Sequence, residues 1–187
     1  VDWWLIVMYV ALVLVGWLNI YAAMYQEGFE LFDFSKKYGK QLQWIIIASV
    51  IAMVILFFNW QFFEGFAYII YFILILALIG VLFLGIEVNG AQSWYDLGFL
   101  RIQPEEFAKF ATCMAVAKYL STLHINIKDL RTKLIAGAIV LLPALLIILQ
   151  NDTGSALAYT AFIIVLYRAG LPGTILILGI SAALLFI

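Results

Sequence analysis

Three polar stretches interrupt long apolar runs, and they hold the residues best suited to chemistry. In the first, Arg101-Ile102-Gln103-Pro104-Glu105-Glu106-Phe107-Ala108-Lys109, Pro104 suits the first position of a helix, and two carboxylates follow where the helix dipole favours negative charge. Lys109 stands at i+3 from Glu106 and i+4 from Glu105, so either acid could pair with it on one helix face. The second stretch is Gln150-Asn151-Asp152-Thr153-Gly154-Ser155. Asp152 can cap the helix that follows, and a carboxylate held by backbone N–H groups at the mouth of a cavity is also placed to act. The third, Glu87 to Gln103, contains Val88-Asn89-Gly90-Ala91-Gln92-Ser93-Trp94, a turn signal beside an aromatic. A carboxylate can take a proton from a hydroxyl, and a neighbouring cation can offset negative charge on a departing group.

Each stretch also has a plainer reading. The first is then a helix start with dipole-matched acids and a self-neutralising ion pair, the second a helix cap with turn residues, and the third an interfacial loop with a Trp anchor. Depth argues against the first of these, because Lys109 lies two turns into an apolar helix, an odd place for surface decoration. Ionisable groups inside a span are costly and are kept mainly where they face a bundle interior, a cavity or each other.

The elements that position these residues must sit in lipid. Hydrophobic residues make up 67% of the chain and charged ones 11%, against about a quarter charged in a soluble domain. A net charge of −1, with no Lys/Arg run, zinc-finger spacing or RNA-binding signature, excludes nucleic acid as a partner. The one cysteine, Cys113, lies in an apolar run and the one histidine, His124, in a polar loop. No disulfide within the chain and no His/Cys metal cluster can form from them. There is no P-loop, no internal repeat and no low-complexity segment.

Crossing the hydrocarbon core takes about 20 mostly apolar residues. Runs of that kind predict an all-α, polytopic transmembrane bundle in one membrane domain, 1–187, with six complete spans at 3–24, 42–58, 66–86, 104–120, 134–149 and 154–167, and part of a seventh at 172–187. The first run is too long for a signal peptide and lacks a small-residue cleavage site. Trp3, Trp4, Trp44 and Trp60 fall at ends of runs, where indoles settle at headgroup level. The chain opens on Val1 and stops at Ile187 within an apolar run, which reads as part of a longer protein.

Successive spans alternate, so the loops fall on two faces. One face holds Lys36, Lys37, Lys40 and Arg101, the other Lys118, Lys128, Arg131, Lys133 and Arg168, four against five. Carboxylates divide less evenly: Glu27, Glu30, Asp33, Glu87, Asp96, Glu105, Glu106 and Asp152 lie on or near the first face, and Asp2, Glu64 and Asp129 on the second. The first face is expected outside.

The order VNGAQSW, then DLGFLRIQPEEFAK opening a span, then QNDTGSA opening another, resembles the SEDS family (shape, elongation, division and sporulation proteins), and its rod-shape, RodA-like branch more than its division, FtsW-like branch. The family's forms run close to NGARRW, RFQPSEFAK and QPDLGT. Here Gln92 and Ser93 replace basic residues, and Asn151 and Thr153 replace Pro and Leu around the retained Asp152, while Ser155 keeps the hydroxyl of the usual Thr. The resemblance implies a multi-pass enzyme of the bacterial cytoplasmic membrane. Such an enzyme polymerises lipid II, a lipid-linked disaccharide-peptide, into peptidoglycan glycan strands in cell elongation and shape maintenance, with a class B penicillin-binding protein. By motif position, Glu106 and Lys109 correspond to the family's intramembrane ion pair lining a central cavity, and Asp152 to its other acid near that cavity. Arg101, Gln103, Gln150 and Trp94 flank these positions and complete the candidate cavity and substrate-binding set. The family's catalytic aspartate belongs to a large outer loop after the seventh span, beyond Ile187, so no catalytic residue is assigned here and the fragment is expected to be inactive alone.

Glycosyl transfer from a lipid pyrophosphate needs a carboxylate to take a proton from the acceptor hydroxyl, and positive charge or a divalent metal to stabilise the departing pyrophosphate. An apolar groove between helices could hold the prenyl tail with the sugar at the polar mouth. Membrane lipids are the other partner. Two further readings come from different classes: a transporter that flips lipid II along a polar path containing Glu106 and Lys109, and a scaffold whose intramembrane charges hold helices in register for a partner.

Overall fold

The computed structural model describes residues 2–25, 33–98, 100–122 and 129–185. Glu27, Glu30, His124 and Lys128 lie outside the described residues. The described residues form helices Trp3–Ala23 (α1), Lys37–Phe57 (α2), Trp60–Leu84 (α3), Pro104–Ser121 (α4), Leu130–Leu149 (α5), Thr153–Leu157 (α6), Ala161–Arg168 (α7) and Gly173–Leu185 (α8). Three short strands, Ile86–Val88 (β1), Ala91–Asp96 (β2) and Arg101–Ile102 (β3), stand between α3 and α4. Among the described residues four helices, α1, α2, α3 and α5, are long and apolar enough to cross a membrane. Several helices begin before the apolar runs that mark them, at Lys37 rather than Leu42 and at Trp60 rather than Phe66, because a polar first turn can continue a helix outside the hydrocarbon. Two compact units divide at Asn59 and Trp60.

In the first unit, Asp2 caps α1 by accepting the Trp4 N–H at 3.0 Å. No residue of α1 is buried, and in α2 only Tyr38 and Gly39 are. The anchor is aromatic: Trp17 Nε1 donates to the Tyr38 carbonyl at 3.0 Å, and the Tyr21 ring meets the Tyr38 ring edge-on at 5.1 Å. Before α2, Asp33 Oδ1 accepts the Ser35 hydroxyl at 2.6 Å and the Ser35 N–H at 2.9 Å, bonds that hold its carboxyl below the ordinary carboxylate range.

The second unit packs. Its longest helix, α3, has 25 residues, about 37 Å of rise against a hydrocarbon core of about 30 Å. Lipid tails are as apolar as leucine, so helices associate through close backbone approach and hydrogen bonds rather than through hydrophobicity. The sequence supplies both. Ala108, Ala111, Thr112, Ala115 and Val116 form a buried stripe of mostly small residues on α4, and Leu78 and Val81 of α3 are equally buried. In α5, Pro143 lacks the N–H that would bond the carbonyl of Ile139. The Tyr71 hydroxyl, from α3, donates to that carbonyl at 2.9 Å, so the proline leaves no backbone acceptor bare in lipid.

Residues 87–103, expected as a loop with a Trp anchor, instead build a small antiparallel sheet in the order β1-β2-β3. Asn89 and Gly90 turn it with φ of 54° and 87°, the paired left-handed conformations that a two-residue hairpin requires and that Asn-Gly supplies at little cost. Trp94 stands opposite Ile86, and Tyr95 opposite Ile102. The Tyr95 hydroxyl donates to the Ala77 carbonyl at 2.9 Å, passing so close to Gly80 that a Cβ there would lie 2.5 Å from it. Burial raises the Tyr95 phenol above its usual range.

The end of α5 is a compact stop. Asn151 takes a φ of 61°, its N–H bonds the Ile148 carbonyl at 3.0 Å, and the Asp152 N–H reaches the Ile147 carbonyl at 3.3 Å, the paired closure of a Schellman motif. The run expected at 154–167 is an interrupted helix, in which a 3₁₀ turn at Ala158–Thr160 separates α6 from α7.

Candidate functional site

The two adjacent acids at the start of α4 part company. A helix turns about 100° per residue, and the step carries Glu105 inward and Glu106 outward. Glu105 is fully buried. Its Oε1 accepts the Ser155 hydroxyl at 2.7 Å and also the Gln103 side-chain amide, while its Oε2 has no hydrogen-bond partner among the described residues. Glu106, 57% exposed, pairs with Lys109 at 2.7 Å. Of the two partners the spacing leaves open for Lys109, the structure takes Glu106.

Asp152 caps α6: its Oδ1 accepts the Ser155 N–H at 3.0 Å. Ser155 therefore touches both acids, holding Asp152 by its backbone and Glu105 by its hydroxyl. Gln150 is buried, its side chain donating to the Leu78 carbonyl at 3.1 Å and its own carbonyl accepting the Gln92 N–H at 2.9 Å. The Gln92 side chain in turn donates to the Gly85 carbonyl at 3.0 Å. These bonds join the hairpin to the turn between α5 and α6.

Of the expected site residues, Gln103 and Asp152 converge around Glu105 and Ser155, Gln150 fastens the same turn to α3 and β2, and Glu106 and Lys109 pair on the outer face of α4. Arg101 does not join them, being held by Asp96 on the sheet at 3.2 Å. Trp94 lies in β2, partly buried. Glu105 and Ser155 are the residues that the expected set leaves out. A signal for Glu105 exists in the spacing: it stands three and seven positions before Ala108 and Thr112, in line with the small-residue stripe of α4, whereas Glu106 does not. Among the described residues no three His, Cys, Asp or Glu side chains gather as a metal site would require.

Apolar grooves lie elsewhere. One of about 560 Å³ runs along α5, α7 and α8, lined by Leu134, Val140, Leu141, Ile163, Leu166 and Ile175 among others. Another of about 520 Å³ separates α1 from α2 around Val13, Trp17 and Trp44. Neither is lined by Glu105, Glu106 or Asp152.

This arrangement defines a class: a polytopic membrane helix bundle whose buried polar groups gather at the start of α4 and the turn between α5 and α6. The family of cell cycle proteins comprising FtsW, RodA and SpoVE matches residues 2–187, and the chain belongs to it. The chain is similar to the peptidoglycan glycosyltransferase RodA of Treponema pallidum, 34% identical over 173 residues that cover 91% of this chain and 39% of that protein. Among solved structures it resembles the rod shape determining protein RodA of Thermus thermophilus, 29% identical with a TM-score of 0.86 over 100% of this chain and 59% of that one. It also resembles a chain of a peptidoglycan synthase complex with structurally coordinated polymerization and crosslinking, 29% identical with a TM-score of 0.80 over 97% of this chain and 51% of that one. The chain spans less than half the length of the curated relatives it matches.

Proposed function

We propose that the protein containing this chain is a peptidoglycan glycosyltransferase that polymerises lipid II into glycan strands, in cell elongation and shape maintenance. It works at the outer face of the bacterial cytoplasmic membrane, beside a class B penicillin-binding protein. The observation that carries this reading is the family match over residues 2–187, together with the presence of Glu106, Lys109 and Asp152 at the motif positions where the SEDS resemblance calls for charge. The names of the relatives support the reaction, and the synthase complex supports the partner.

In this reading the polar face formed by α4, α6 and the hairpin meets the sugar and pyrophosphate of the substrate, and lipid-facing helices accommodate its prenyl chain. Lys109 offsets charge on the pyrophosphate, with Glu106 keeping the ammonium in place until substrate arrives. Asp152 accepts hydrogen bonds from the sugar. The resemblance assigns the acceptor proton to a carboxylate outside this chain.

The test is polymerisation by the full-length protein with its partner in lipid vesicles, using labelled lipid II. The expected result is labelled glycan that lengthens with time. Labelled lipid crossing the bilayer with no polymer formed would overturn the reading in favour of a transporter.

A further inference from the structure

The mechanism above makes no use of Glu105, although it is the most completely buried acid described in the chain. A carboxyl group removed from water is expensive unless donors surround it. Glu105 has two donors, both on one oxygen, and they come from different places. Gln103 precedes its own helix, and Ser155 lies 50 residues away in α6. The Glu105 side chain reaches into the first turn of α6.

That turn needs an anchor. It opens the helical run Thr153–Arg168, whose first N–H groups have no carbonyl of the same helix to bond. Asp152 accepts the Ser155 N–H at 3.0 Å, and its carboxyl also meets that of Glu105. The hydroxyl of the same serine is fixed by Glu105 at 2.7 Å. Ser155 thus links the two acids, beside their direct contact.

We propose that Glu105 is a positioning residue: by fixing Ser155 it sets the direction of the Asp152 carboxylate at the polar mouth. The role in turnover rests on the glycosyltransferase reading, whereas the clamp itself does not.

Both parts are tested in the full-length protein with its partner, in Glu105→Gln, Glu105→Ala, Ser155→Ala and the double alanine variant, by backbone hydrogen exchange across 152–157 and by initial rates of labelled glycan formation against lipid II concentration. Glu105→Gln keeps an acceptor for Ser155 and should stay within about threefold of wild type in both readouts. Glu105→Ala and Ser155→Ala should each speed exchange at Ser155 and lower kcat about tenfold, as expected for losing a buried hydrogen bond. The double variant should be no worse than Glu105→Ala alone, because the Ser155–Glu105 contact is already lost there. Wild-type exchange at Ser155 in Glu105→Ala would overturn the clamp, as would a double variant that loses the product of the two single effects. A Glu105→Ala protein with a lower unfolding temperature but wild-type kcat would show a structural role alone and overturn positioning. If Glu105→Ala fails to fold, Ser155→Ala and Glu105→Gln decide the same question. If wild type makes no polymer, the glycosyltransferase reading fails, while the exchange data still decide the clamp.

Discussion

The stretches 2–59 and 60–185 are both dominated by apolar helix, yet they differ in what they bury. Through α1 and α2 only Tyr38 and Gly39 are covered. From α3 to α7 there is a core of Leu78, Val116, Ala136, Ile147 and Tyr159 with buried Ser93, Glu105, Thr112 and Gln150 beside it. Apolarity alone does not explain the contrast. In lipid the helices that pack are those with small residues to let backbones approach and polar side chains to bond across the gap. The second stretch has the alanine stripe of α4 and the bonds from Tyr71, Tyr95, Gln150 and Ser155. Among the described residues of the first, Trp17 bonds the Tyr38 carbonyl.

The contrast is sharpest under the same substitution in both stretches. Ala111→Leu forces bulk into a fully buried position of α4 and should cost about 3 kcal/mol in detergent unfolding experiments. Ala52→Leu, on the exposed surface of α2, should stay within about 0.5 kcal/mol of wild type. Equal losses would mean that α2 packs as tightly as α4. Next in size is Tyr71→Phe, which strips the donor from the carbonyl that Pro143 leaves free. A loss of about 1–2 kcal/mol is expected by the same measurement. Glu106→Gln breaks an ion pair on the outer face of α4 and should change stability by less than about 1 kcal/mol, while polymer formation, in the proposed function, falls much further. The smallest effect belongs to the first stretch. The Asp33 carboxyl lies below its ordinary value of 3.8 because Ser35 bonds its charged form. Its contribution is therefore fully present above that pH and is lost as pH falls through the lowered value. Ser35→Ala should be slightly less stable than wild type at neutral pH and indistinguishable from it in strong acid.

Much of this architecture is legible in the sequence, for particular reasons. A span must be long and apolar, so α1, α2, α3 and α5 can be recognised by length. Pro104 and the acids behind it mark the start of α4. The hairpin is harder. Asn89-Gly90 signals its turn, but β1 has only three residues and no alternation long enough to show a strand. Asn151 is harder still, since its left-handed conformation depends on the α5 carbonyls it helps to close. Glu105 and Glu106 are interchangeable as partners for Lys109 when only spacing is considered. They become distinct once Ser155, distant in sequence, is known to lie beside one of them. Arg101 shows the converse: near the acids of α4 in sequence, it is held by Asp96 across β2 and β3.

At the centre stands the claim that the polar face serves a reaction and is more than a set of helix caps. Asp152→Asn separates the two roles, because asparagine caps a helix about as well as aspartate but carries no charge. The measurement is the rate of labelled glycan formation by full-length Asp152→Asn with its partner, alongside hydrogen exchange at Ser155. The prediction is wild-type exchange with at least about a tenfold loss of polymer, the scale of one charge-assisted hydrogen bond. A wild-type rate with wild-type exchange would contradict it and leave Asp152 as a cap alone.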